Sequence, residues 1–165
     1  MKKFELTSEF VTFLGKKLFR IKALISFGNV KEGELGGYVE KEENLSNDGN
    51  AWVSGDAWVY GDAEVSGDAR VSGDAWVSGN AWVYGDAEVS GDADYATVHG
   101  FGSEYRTTTF FRTKAGDIGV RCGCFYGTLE EFRAKVKETH GETKTAKEYL
   151  MVADLMEFRF SKEEA

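Results

Sequence analysis

Cysteine is nearly absent from this chain: Cys122 and Cys124 are the only two, with one residue between them. Their spacing suits neither a disulfide framework nor a zinc ribbon, and so few thiols fit a reducing compartment. Long apolar runs are missing as well. No stretch approaches the length of a membrane span, and Glu5 and Glu9 fall where a secretory signal would need an unbroken apolar core. The expectation is a cytoplasmic protein that meets no membrane. Positive charge is in deficit, 20 Lys and Arg against 28 Asp and Glu for a formal net charge of −8. That balance argues against direct nucleic-acid binding through a general basic surface. Histidine is confined to His99 and His140. A general base needs a partner to orient it and a pocket to work in, and the sequence shows no second member of such a set. No catalytic residue is assigned, and no enzyme is expected.

What the chain has instead is aromatic and apolar mass with a strict internal period. With 42% hydrophobic and 14% aromatic residues, 165 residues suffice for one folded unit with a real core. From position 51 the chain reads AWVSGD, AWVYGD, AEVSGD, ARVSGD, AWVSGN, AWVYGD, AEVSGD and then a degenerate ADYATV. Alanine returns every six residues from Ala51 to Ala93, and valine follows two residues later from Val53 to Val89, with Tyr95 in the eighth slot. In extended chain, residues two apart share a face, so each Ala/Val pair points inward and the residue between them outward. Gly-Asp or Gly-Asn then turns the corner. A helix is excluded, because a six-residue period carries the valines around a 3.6-residue turn and the glycines break it.

Repeated with little drift, Gly-Asp-Ala-x-Val-x resembles the hexapeptide-repeat proteins that fold as left-handed parallel β-helices. The lead-in from Phe27 to Val39, with Asn44-Leu45-Ser46 and Gly49-Asn50-Ala51-Trp52-Val53, is similar to a bacterial and phage subgroup of that family. The resemblance implies a short triangular solenoid, placed over residues 38–100; the flanking residues add an N-terminal β capping segment over 1–37 and a C-terminal β-hairpin with two helices over 101–165, for a mainly β chain. The resemblance also implies that phage or prophage origin is to be expected. Outward positions repeat with a second period of 24, Trp-Trp-Glu-Arg and then Trp-Trp-Glu-Asp. An 18-residue turn places Arg70 between Trp52 and Glu88, giving a cation–π contact and an ion pair, whereas 24 stacks Glu64 on Glu88. Three sides per turn are therefore expected, making fewer than three turns and ~13 Å of stack. So short a stack exposes open strand edges, which the flanks must cover.

The flanks read as β-hairpins turning at Gly15-Lys16 and at Lys114-Ala115-Gly116-Asp117. Capping boxes at Thr128-Leu129-Glu130-Glu131 and Thr145-Ala146-Lys147-Glu148 start two helices, the first carrying Leu129, Phe132 and Val136 on one face and ending at Gly141. Behind the second box lie Tyr149, Leu150, Ala153, Met156 and Phe160.

Candidate site residues follow from the repeat. All four tryptophans, Trp52, Trp58, Trp76 and Trp82, occupy outward positions, with Tyr60 and Tyr84 close by. Such apolar surface is covered either by the terminal segments or by another chain. These six aromatics form the candidate interface, for a homo-oligomer (dimer or trimer) or for a partner protein. The corner acids Asp56, Asp62, Asp68, Asp74, Asp86 and Asp92 form an acidic surface. Between Ser46 and Ala96, ten acids stand against Arg70 alone, a net of −9 that leaves +1 for the rest of the chain. One carboxylate per corner is turn chemistry, whereas calcium asks for six or more converging oxygens. Cys122 and Cys124, sharing a strand face, are two ligands at most, and free cysteine is more often a small buried hydrophobe. No cofactor and no metal are expected. The reading is a non-enzymatic interaction or scaffold protein. Its alternatives are an acidic decoy for a host protein with a basic nucleic-acid-binding cleft, a hexapeptide acyltransferase, for which the resemblance would require a catalytic histidine at a subunit boundary, and a small-ligand sponge with pockets between subunits.

Overall fold

The computed structural model describes residues 2–91, 94–101 and 106–161. The chain is mainly β, in several sheets, with two helices near its C-terminal end. Strands β1 (Phe4–Phe13) and β2 (Lys16–Ala23) form an antiparallel hairpin, and β3 (Leu35–Val39) runs antiparallel to β2 and parallel to β5 (Trp58–Val59). β3 thereby welds the hairpin to the repeat.

The repeat itself gives seven two-residue strands: β4 (Trp52–Val53), β5, β6 (Glu64–Val65), β7 (Arg70–Val71), β8 (Trp76–Val77), β9 (Trp82–Val83) and β10 (Glu88–Val89). They pair in parallel as Trp52 with Arg70 and Arg70 with Glu88, Trp58 with Trp76, and Glu64 with Trp82. Every partner lies one three-hexapeptide turn further along the chain, so the 24-residue period is not structural. Arg70 occupies the expected register, but it forms no ion pair with Glu88 within 4.0 Å and no ring contact with Trp52. The alanines from Ala51 to Ala87 and the valines from Val53 to Val89 are at most 1% exposed. Small and branched side chains alternate there and fill a narrow interior.

Open edges are closed by named groups. At the first turn, the Ala57 and Val59 carbonyls accept from the Tyr38 and Glu40 N–H groups (2.9 and 3.1 Å), and the Val65 carbonyl accepts from Ser46 N–H (2.9 Å). Asn44 Nδ2 donates to the Ala63 and Gly61 carbonyls (2.8 and 3.2 Å). Lys3 Nζ, fully buried, donates to the Ala51 and Gly49 carbonyls (2.7 and 3.4 Å). Burial pushes the Lys3 ammonium down to about 8, although Asp48 and Asp68 pull it upward. At the last turn, Trp82 N–H donates to Thr109 Oγ1 (2.9 Å), and the Tyr95 hydroxyl donates to the Trp76 carbonyl (2.6 Å). The Asp94 carboxylate accepts from Ser90 N–H (2.9 Å) and Gly91 N–H (3.2 Å). Burial pushes the Asp94 carboxyl up, yet these bonds and Arg112 outweigh it and hold it below the usual carboxylate range. Unpaired edge groups cost free energy and invite edge-to-edge association, and these caps answer both.

Beyond the repeat the structure departs from the sequence expectation. Tyr95–Phe101, read as a decaying hexapeptide, is β11 of a four-stranded antiparallel sheet with β12 (Arg106–Arg112), β13 (Ile118–Cys122) and β14 (Phe125–Thr128), where a single hairpin was expected. Once the Ala-x-Val spacing lapses, the alternating residues of β11 pair more readily with β12. In β12, Phe110 packs under the helices and Phe111 packs into the repeat's core, so one strand separates two cores. Helix α1 (Leu129–His140) has the expected capping box, Thr128 Oγ1 accepting from Glu131 N–H (3.2 Å) and Glu131 Oε1 from Thr128 N–H (3.1 Å). Helix α2 (Lys144–Phe160) starts before the predicted box, because Thr143 Oγ1 captures Ala146 N–H (3.2 Å). Among the described residues, no helix is long and apolar enough to cross a membrane.

Candidate functional site

Each side of the repeat presents its outward tryptophans differently. Trp52 is 2% exposed and lies beneath the lead-in segment, with Phe27 edge-on at 5.4 Å. Gly36 makes this possible, since a Cβ there would come within 2.7 Å of both the Trp52 ring and Ile21. The expectation that Trp52 faces a partner is corrected: its indole is an anchor for the chain's own N-terminal segment. Trp82 and Tyr84 are anchors too. The Arg121 guanidinium from β13 lies 3.9 Å from the Trp82 ring centroid and 4.6 Å from that of Tyr84, while the Trp82 indole N–H donates to Ser66 Oγ at 2.7 Å. Tyr126 meets Tyr84 edge-on at 4.8 Å. Both residues are half-buried by the second sheet and offer a partner far less than their sequence positions suggested.

The remaining side keeps an accessible aromatic face. Trp58 and Trp76 stack at 4.5 Å between centroids and 3° between planes, a spacing set by neighbouring strands about 4.8 Å apart. Phe13, from the end of β1, caps both rings at 5.2 Å and reaches Tyr60 at 5.7 Å. Trp76 nevertheless stays 38% exposed. Together with Tyr60, Ser78 and Tyr95 it lines an open depression of about 330 Å³. No family model matches this chain, and no curated protein matches it. The site therefore has to be read from its own residues.

Asp56 and Asp74 border this face at one corner and Asp62 at the other, whereas Asp68 and Asp86 turn the far corner, beside Arg70 and Lys114. Asp56, Asp62, Asp68, Asp74 and Asp86 are all exposed; Asp92 lies outside the described residues. Two corners are partly neutralised by the flanks, Asp62 by Lys41 Nζ at 3.0 Å and Asp56 by Arg20 Nη2 at 4.0 Å. The Lys41 ammonium is held above its ordinary value by its hydrogen bond to Asp62. Asp68, Asp74 and Asp86 join no ion pair among the described residues. The Asp68 carboxylate accepts from Asn50 N–H (3.3 Å), and Asp74 turns the corner immediately before Trp76.

The other candidates fall elsewhere. His99 is exposed on β11, its Nδ1 2.8 Å from Thr107 Oγ1. His140 is the last residue of α1 and lies against Tyr149. Cys122 and Cys124 do not alternate along one strand: Gly123, at φ +56°, makes the turn between β13 and β14. The Cys122 sulfur accepts from Thr108 Oγ1 at 3.2 Å. Both thiols and His140 border one cavity under the helices, yet no group of three metal-ligating side chains converges among the described residues. Sequence reasoning missed the anchoring roles of Phe13, Arg121 and Lys3. Only the alternation of β1 and the basic tip at Lys2-Lys3 hinted at them, and neither named a partner.

Proposed function

We propose that this chain is a non-enzymatic interaction protein. Its hexapeptide repeat is a left-handed parallel β-helix, and it presents the Trp58–Trp76 face, edged by the Asp74 carboxylate, to a protein partner or to a second copy. The three-ladder register with an 18-residue turn supports the solenoid reading. The observation that carries the function is the half-open indole stack: Trp52 is sealed and Trp58 and Trp82 are half-buried, whereas Trp76, although stacked on Trp58 and capped by Phe13, leaves more than a third of its surface in water beside exposed Asp74. An aromatic anchor next to unpaired charge combines the two features that interaction hot spots use most, a large apolar area and an electrostatic guide. Phage or prophage origin rests on the family resemblance of the repeat alone.

Affinity capture from bacterial lysate, quantified by mass spectrometry, tests the reading with three baits: the wild type, Trp76→Ser, and Asp74→Asn. A specific co-purifying chain, or an untagged copy of this one, is expected with the wild type and lost with Trp76→Ser. The Asn variant should hold it with weakened, less salt-sensitive binding. Retention by all three baits would remove this face from the interaction.

A further inference from the structure

A second site lies away from the tryptophan face, between the four-stranded sheet and the two helices. A cavity of about 300 Å³ opens there, at the lower end of the range for small-molecule pockets. Its interior is aromatic: Phe125 meets Phe132 at 5.8 Å, and Phe132 meets Tyr149 at 5.6 Å and 88°. Its rim is basic. Arg106 from the start of β12, Lys135 from the middle of α1 and His140 from its last turn all line it, and among the described residues no Asp or Glu does. In a chain with 28 acids to 20 Lys and Arg, a mouth whose charged side chains among the described residues are Arg106 and Lys135 stands against the general field of the molecule. Lys135 approaches Glu138 at 3.9 Å, but both side chains are more than half exposed, so that pairing is weak. Tyr149 does not oppose a negative guest. Its burial, reinforced by the neighbouring Cys122 thiol, pushes the phenol up to about 12, and its hydroxyl donates to the Phe101 carbonyl at 3.2 Å.

We propose that this cavity binds a small organic anion with a planar, ring-bearing body, of the aromatic carboxylate class. The ring lies among Phe125, Phe132 and Tyr149, and the carboxylate faces Arg106 and Lys135. Aromatic walls reward a flat apolar body, and guanidinium and ammonium groups reward a carboxylate. The volume admits one or two rings and no dinucleotide. This inference is independent of the proposed interaction face, and neither result bears on the other.

Benzoate, benzyl alcohol and benzylammonium, which share a ring and differ in charge, are the probes. In NMR titrations of the full chain, benzoate is expected to give saturable shifts at Val136, His140 and Tyr149, with about tenfold tighter binding than benzyl alcohol; benzylammonium should give none. Lys135→Gln, at an exposed position, should weaken benzoate by up to about fivefold. Thr139→Trp, at the exposed rim, should block it while leaving the remaining spectrum in place. Equal binding of benzyl alcohol and benzoate would reduce the site to an apolar crevice and overturn the anion assignment. Benzoate shifts confined to other regions, undiminished binding by the Thr139→Trp protein, or no saturable shift would overturn the site itself.

Discussion

Replacing Asn44 by Leu puts the edge-capping account at risk most sharply. Asn44 is fully buried at the open edge of the first turn. Its Nδ2 satisfies the Ala63 and Gly61 carbonyls, and its Oδ1 accepts from Lys41 N–H at 2.9 Å. Leucine has the same branched shape and a better transfer free energy, so burial alone would favour Asn44→Leu apart from the cost of fitting its larger side chain. Hydrogen bonding gives the opposite sign. Two carbonyls lose their donor beneath the N-terminal cap, and each unsatisfied buried group costs about 1–3 kcal/mol. Lys41 N–H sits nearer the surface and adds less. The expected loss is about 3–5 kcal/mol, a large part of the 5–15 kcal/mol typical of a whole domain. Asn44→Asp should be at least as harmful at neutral pH, because a carboxylate cannot donate and faces two carbonyl oxygens; part of the loss should return as pH falls and the carboxyl regains a proton. Equilibrium urea unfolding followed by tryptophan fluorescence reads this directly, since all four tryptophans lie in the repeat. An Asn44→Leu protein within about 1 kcal/mol of the wild type would show that water or a shifted backbone closes this edge, and the capping argument would fail.

Other expectations follow from the same contacts. Val71→Asp places an unpaired charge in a dry interior and should leave no cooperatively folded protein by circular dichroism; a soluble, sharply melting variant would contradict the inward assignment. Arg121→Ala should cost about 1–2 kcal/mol through the lost cation–π contacts and should raise acrylamide quenching of Trp82, measured in a protein that keeps Trp82 as its only tryptophan. Lys3 loses its proton at about 8 in the folded chain and near 10.5 when unfolded, so between those values the unfolded chain holds more protons and stability rises with pH. The rise is at most ~1.4 kcal/mol per pH unit, and Lys3→Met should abolish it in paired urea titrations at pH 7.5 and 10. Gly85→Ala must hold φ +64° and push its new methyl group into the Tyr126 hydroxyl, so its melting temperature should fall well below that of the wild type in differential scanning calorimetry.

The repeat was legible because its physics is local. Ala and Val two residues apart, then Gly-Asp, fix an inward pair and a corner without reference to any other part of the chain, and the stacking of Arg70 against Glu88 or of Glu64 against Glu88 was enough to choose between two periods. What covers each side was not legible. Phe13 reaches Trp58 across a hairpin, Arg121 reaches Trp82 from a strand 39 positions later in the chain, and Lys3 reaches Ala51; no sequence interval carries such pairings. For the same reason, outward tryptophans looked alike in sequence although Trp52 is sealed and Trp76 is not. Tyr95–Phe101 was misassigned because a fading hexapeptide and an alternating antiparallel strand share a period of two. Thr143 was passed over for Thr145, where the better-known four-residue signature stood.

The most direct test of the interaction claim is site-specific photo-crosslinking in a bacterial host. A photoreactive phenylalanine is placed at Ser78, in the depression beside Trp76 and Tyr60, and, for comparison, at exposed Glu130 on α1. The account predicts a discrete adduct, with a partner protein or with a second copy, from position 78 and not from position 130, and its loss when Trp76→Ser is added. No adduct at position 78, or the same adducts from both positions, would contradict the claim that this face of the repeat is what the protein offers to others.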